Sequence, residues 1–151
     1  MDLIAKNKQV VREFTKTFKN EHNVDGIDHL FAPDFKHNFR QPLPAGLVGF
    51  KEVGRMMNRV FPDVVVTEHD LIGNEDTVVE RSSAVATHRA PMMNEPPTNK
   101  QIRWTEIHIY RIRDGKIVEH WVEMSMLELL KQIGVASVSY THLTLSTIYS
   151  V

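Results

Sequence analysis

The sequence predicts an α+β domain in which helices come first and antiparallel strands follow. Three observations carry this. Apolar residues recur at three-four spacing within the first sixty positions, as in Phe50, Val53, Met57 and Val60. From Val64 onward the period changes to two, and β-branched and aromatic residues are enriched. Asp114-Gly115 joins two of these runs, and a tight type I′ hairpin needs positive φ at both central residues. Helices segregated from an antiparallel sheet cover one of its faces.

Leu3, Val10, Val11, Phe14 and Phe18 lie at roughly helical spacing behind Asp2, a suitable N-cap, so the first twenty residues read as an amphipathic helix. Residues 25–31 read as a short second helix ending before Pro33. Residues 35–39 form a short extended piece carrying His37 and Asn38, and Pro42, Pro44 and Gly46 punctuate a loop after it. Val48, Phe50, Val53, Met56, Met57 and Val60 then define a third helix stopped by Pro62. Three helices are thus expected before the sheet.

Residues 64–71 and 77–88 are β-rich, with Gly73-Asn-Glu-Asp76 as their hairpin connection. Residues 91–100 hold three prolines and two asparagines, so they form a loop. The Asp-Gly hairpin follows, and Ser125-Met-Leu-Glu128 predicts a capping box for a last helix that ends at Gly134. Beyond it, residues 135–151 change character to Ser, Thr and Tyr, resembling translated adapter sequence. They read as a tail outside a single domain of residues 1–134; a genuine edge strand or swapped segment is the competing reading, given the segment's β propensity.

A chain of 151 residues, 42% of them apolar, buries one core rather than two. Eighteen basic residues against nineteen acidic ones give no field to draw nucleic acid or an anionic membrane. The absence of cysteine excludes disulfides, thiolate metal sites and a cysteine nucleophile. No stretch approaches the roughly 20 apolar residues of a membrane span, and no basic region precedes an apolar run at the start. A soluble, cytoplasmic protein is the expectation.

Alternation along a strand puts Trp104, Glu106, His108 and Tyr110 on one face, with Thr105, Ile107 and Ile109 on the other. The hairpin sets the first face beside Val118, His120 and Val122, so two imidazoles and a carboxylate converge if the polar faces coincide. A solvated strand face would show the same alternation. The two large aromatics around the Glu/His pair favour a partly apolar pocket. Within it, burial would raise the Glu106 pKa and a protonated His108 would lower it. His37, His108, His120 and Glu106 lack local ligand spacing, so no metal is expected.

Several segments together resemble the SnoaL-like polyketide cyclases, a family within the nuclear transport factor 2-like fold. They are Phe31-Ala-Pro-Asp-Phe35, Phe61-Pro-Asp63, Thr87-His88, Pro96-Pro-Thr98 and Ile109-Tyr-Arg-Ile-Arg-Asp-Gly-Lys-Ile-Val-Glu-His-Trp121, in that order. The resemblance implies a cone-shaped domain in which three N-terminal helices pack on a curved, mostly antiparallel sheet, with a short C-terminal helix. It also implies a small-molecule pocket, no cofactor, and a dimer packed through the outer sheet face. Ile107, Ile109, Ile117 and Trp121 would supply that outer surface.

The characterised cyclases close a ring by intramolecular aldol condensation, moving a proton from a carbon beside a carbonyl. By resemblance the polar pair falls on Glu106 and His108, a further histidine on His120, and the polar residue of the first extended piece on His37 or Asn38. Trp104, Tyr110 and Val122 would line the substrate site. The family's acid/base aspartate falls on Val122, whose isopropyl group cannot carry a proton. Glu123 is adjacent but faces the other side unless a β-bulge intervenes. Two expectations stay open: a cofactor-free acid/base enzyme acting on a carbonyl or ester, with Glu106 as proton acceptor, or a non-catalytic ligand-binding or dimerising domain.

Overall fold

The computed structural model describes residues 1–39 and 42–135; the tail expected beyond Val135 lies outside the described residues. Helix α1 (Leu3–Phe14) starts where expected, with the Asp2 carboxylate accepting from the Ala5 amide at 2.7 Å. It continues into one wider π turn, Thr15–Asn20, closed by the Glu21 amide on the Lys16 carbonyl. Val24–Leu30 forms a 3₁₀ segment rather than an α-helix.

Strand β1 (Phe31–His37) begins four residues before the expected extended piece and includes Pro33. The sheet order is β1-β5-β4-β3-β2, so β1 is an edge strand, where a proline nitrogen forfeits no interior ladder bond. The first strand therefore precedes helix α2 (Gly46–Val60), correcting the expectation that all three helices come before the sheet. Strands β2 (Val65–Gly73), β3 (Thr77–Thr87), β4 (Gln101–Arg113) and β5 (Lys116–Met124) pair antiparallel in sequence; only β1 and β5 run parallel. Asp114 and Gly115 take φ of 51° and 72°, as the hairpin requires.

A bulge interrupts β5. Arg111 pairs with Glu119 but Ile112 pairs with Ile117, which leaves Val118 as the extra residue. Ile117 and Val118 consequently both turn inward, at 0% and 8% exposure. The expectation that Ile117 lies on the outer face is corrected on that ground. Ile107 and Ile109 remain outside, 48% and 37% exposed, and Trp121 is half-buried beside Ile109.

Helix α3 (Met126–Ile133) ends at Gly134 in the left-handed region, with the Val135 amide on the Leu130 carbonyl. The expected capping box does not form. Ser125 Oγ instead accepts from the Thr105 amide at 2.9 Å, and the Gln132 amide group bonds both the N–H and the C=O of Arg103. The β4–β5 pairing ends at Glu106 and Met124, so these side chains continue the ladder along the part of β4 that has outrun its partner. Leu129 and Ile133 pin the helix; each such burial contributes about 1.5–3 kcal/mol.

Two apolar clusters fill the concave side. One gathers Phe14, Phe31, Phe35, Phe50, Tyr110 and Ile117; the other gathers Phe61, Val66, Ile102, Trp104, Leu129 and Ile133. Between them a cavity is left.

Candidate functional site

Three rows of paired residues cross the concave face of the sheet. Glu80, His108 and Val122 form the middle row, Ser82, Glu106 and Met124 the next, and Val78, Tyr110 and His120 the row on the other side. The π turn after α1 lies over them and lowers Thr15 and Lys19 onto the polar part. π turns recur at functional sites because the extra residue re-aims side chains without breaking the helix.

The Glu106 carboxylate sets the donor and acceptor roles of the two imidazoles. Trp104 Nε1 donates to Glu106 Oε1 at 2.6 Å, and His108 Nε2 lies 2.6 Å from Glu106 Oε2. An ionised carboxylate only accepts, so His108 Nε2 carries a proton and Nδ1 accepts from His120 Nε2 at 2.9 Å. His120 Nδ1 is then a buried lone pair with no partner among the described residues. Lys19 Nζ donates to Glu80 Oε2 at 3.0 Å, stands 3.0 Å from His108 Nε2, and is 3.7 Å from Glu106 Oε2. Glu80, fully buried, also accepts from Thr15 Oγ1 at 2.9 Å and from the Tyr110 hydroxyl at 3.0 Å.

Burial works against the Glu106 charge, but the His108 hydrogen bond and the Lys19 ammonium outweigh it and hold the carboxyl well below the usual range. The lowering direction, one of the two expected from the sequence, prevails, though through the His108 hydrogen bond and the unforeseen Lys19 rather than through a protonated His108. Glu80 is lowered in the same way, with burial overcome by Lys19 and His108. Burial and then the Lys19 charge lower His108, with Glu106 opposing. His120 is pushed well below the ordinary imidazole value by burial, then by His108 and Lys19. Burial and the neighbouring Glu80 charge raise the Tyr110 phenol well above its ordinary value. At neutral pH the site is thus two carboxylates, one ammonium and two neutral imidazoles.

The cavity holds about 130 Å³, and its polar lining is Lys19, Asn58, Glu106, His108 and His120. Trp104 and Val122 are on the wall with them, Val122 directly opposite His108 in the ladder. Glu123 is exposed and pairs with Ile107 on the outer face, so the β5 bulge lies too far back to bring it in. Tyr110, His37 and Asn38 are not on the wall, although substrate contact was expected of them. The Tyr110 hydroxyl is taken by Glu80. His37, paired with His120 in the β1–β5 register, has Nε2 3.2 Å from the Pro44 carbonyl oxygen. Asn38 bonds Glu119 and the His120 carbonyl at the sheet edge.

Lys19, Glu80 and Thr15 were missed from the sequence. A signal existed for each: Val11, Thr15 and Lys19 recur every four residues within the apolar stripe, and Glu80 shares parity with Val78, Ser82 and Ala84. Among the described residues, no group of three or more His, Cys, Asp or Glu is placed to hold a metal ion. No helix among them is long and apolar enough to cross a membrane.

Helices laid over a curved five-stranded sheet, with polar residues gathered on its concave side, define a nuclear transport factor 2-like domain. Within that class, residues 9–133 match the model of the SnoaL-like polyketide cyclases, and the chain belongs to that family. AclR of Streptomyces galilaeus, provisionally described as a hydroxylase, superposes with a TM-score of 0.80 at 26% identity, covering 88% of this chain and 87% of that one. TsrD of Streptomyces laurentii gives 0.79 at 26%, with 87% and 97% covered. IdmH of Streptomyces antibioticus, provisionally described as a polyketide cyclase, gives 0.74 at 28%, with 85% and 99% covered. No curated protein sequence matches the chain significantly.

Proposed function

We propose that this is a small-molecule enzyme performing acid/base chemistry with its own side chains on a carbonyl or ester substrate, by aldol-type cyclisation, isomerisation or hydrolysis. The observation that carries the reading is the pairing of an ionised Glu106 with the Lys19 ammonium, 3.7 Å apart, on the wall of a largely apolar cavity. Glu106, a weak base as held here, takes the proton from a carbon beside the carbonyl because the C–H electrons move onto a carbonyl oxygen to which Lys19 donates, and that donor lowers the pKa of the carbon acid. The enolate carbon then attacks a second carbonyl, or is reprotonated, and Glu106 returns the proton. His108 positions Glu106, and His120, donating to His108 Nδ1, holds the His108 ring in place. Proton transfer moves to Glu106 because Val122 occupies the position at which the family's aspartate was expected.

Exchange of the α-hydrogens of small esters and β-dicarbonyl compounds in deuterated water, followed by NMR, tests this without knowledge of the product. Glu106→Gln should slow the exchange by about 10²- to 10⁴-fold while ligand binding persists. Val122 favours a second reading, a non-catalytic ligand-binding domain, for which ligands would bind but exchange no faster than without protein, for wild type and variant alike. In the proposed assembly, two copies pack through the outer sheet face around Ile107 and Ile109.

A further inference from the structure

The cavity is bounded by a compact stack of rings. Phe18 stacks on Phe14 at 5.0 Å and 24°, and on Phe50 at 5.2 Å and 22°. Phe50 in turn stands edge-on to His120 at 5.3 Å. The tip of Phe18 reaches so close to helix α2 that a Cβ on Gly54 would lie 2.3 Å from its Cζ. Only a residue without a side chain allows the ring to sit there, and both Phe18 and Gly54 line the cavity. The space left is about 130 Å³. An engineered apolar cavity of about 150 Å³ holds benzene. Pockets for drug-sized ligands begin near about 300 Å³.

Polarity is distributed as unevenly as the space is limited. Lys19, Glu106 and His108 contact one another at one part of the wall and His120 bonds His108 beside them, whereas Phe14, Phe18, Phe50, Val53 and Met57 offer no partner to a polar group and Asn58 is the one polar residue among them. A ligand with one polar end is stabilised there; a second, charged end would be desolvated without a charged partner.

We propose that the cavity takes a single-ring or short open-chain carbonyl compound with one polar end and excludes fused polycyclic skeletons, with Phe18, seated over Gly54, as the residue that sets this limit. The proposal rests on the ligand-cavity reading above but not on catalysis by Glu106. Equilibrium dialysis of the full chain with acetophenone and with the tricyclic ketone 9-fluorenone tests it. The wild-type protein should bind acetophenone at least about tenfold more tightly, a difference of about 1.4 kcal/mol. Phe18→Ala, which removes the ring from the stack, should narrow or invert that ratio. Equal or tighter binding of 9-fluorenone by the wild type would overturn the size limit and leave the acid/base reading intact, because α-hydrogen exchange reports on that separately. Binding of neither ketone would overturn both the limit and the cavity as a carbonyl site. Should Phe18→Ala fail to fold, Phe18→Val and the wild-type ratio decide the matter.

Discussion

Glu80 shows how much the site depends on a residue that need not touch a ligand. Its carboxylate is fully buried, and three donors (Thr15, Lys19 and Tyr110) satisfy it. Replacing it with alanine takes the hydrogen-bonded carboxylate from a buried ammonium and leaves a phenol hydroxyl without its acceptor, so Glu80→Ala should cost roughly 3–5 kcal/mol in urea unfolding. Combining Glu80→Leu with Lys19→Met should cost less than the sum of the single changes, because the second removes the charge whose nearer carboxylate the first takes away. The imidazoles add a pH dependence of definite sign. His120 and His108 are both lowered in the folded protein, so on acidification the unfolded chain takes up protons first. Their contribution is complete above about pH 6.5 and is lost as pH falls toward the lowered values. Glu106 and Glu80, also lowered, extend the loss below about pH 4.3. Urea unfolding repeated at about pH 7 and about pH 5 should give a lower free energy at the acid end; an unchanged value would mean that these histidines are not held neutral.

At the level of elements, the junction between β4 and α3 makes a prediction that separates two roles for one serine. A helix-capping serine would, on mutation to alanine, loosen α3. Ser125 serves the Thr105 amide instead, so Ser125→Ala should speed hydrogen exchange at Thr105, leave α3 protected, and cost about 1 kcal/mol. The misreading has a physical cause: a Ser-x-x-Glu pattern reports what a serine can do locally, and the need of a strand that has lost its neighbour is visible only in three dimensions. The same division runs through the whole chain. Helices α1 and α2, the β-hairpins, the Asp-Gly turn and the inward parity of Trp104, Glu106 and His108 were legible because each follows from a local period or a local φ requirement. The early start of β1 was not, since Pro33 is tolerated only because that strand lies at the sheet edge. The bulge that turns Ile117 inward depends on how β5 pairs with β4. Lys19 and Glu80 are separated by 61 residues, and no local pattern could have announced their contact.

Across the whole molecule, the two faces of the sheet divide the work. The concave face is filled by the clusters and the cavity, whereas the outer face carries Val79, Ile109 and Trp121 in one row and Arg81, Ile107 and Glu123 in the next. Arg111 lies 5.8 Å over the Trp121 ring, which leaves an aromatic and a cation at the margin of this patch. Isoleucines exposed at 48% and 37% in the centre of the outer face are poorly solvated, and in the proposed dimer a second copy of the same surface would cover them by two-fold packing. A stable interface of this kind buries about 800 Å² per partner. The wild-type protein should therefore sediment as a dimer, and Ile109→Glu, by placing like charges across the two-fold contact, should give a monomer at the same concentration. Ile109 points away from His108 and Tyr110, its neighbours along β4, so acetophenone affinity should be unchanged in that monomer. A wild-type protein that is already monomeric would show the outer face to be tolerated in water. Loss of ketone binding together with dimerisation would mean that the cavity needs the partner to hold its shape.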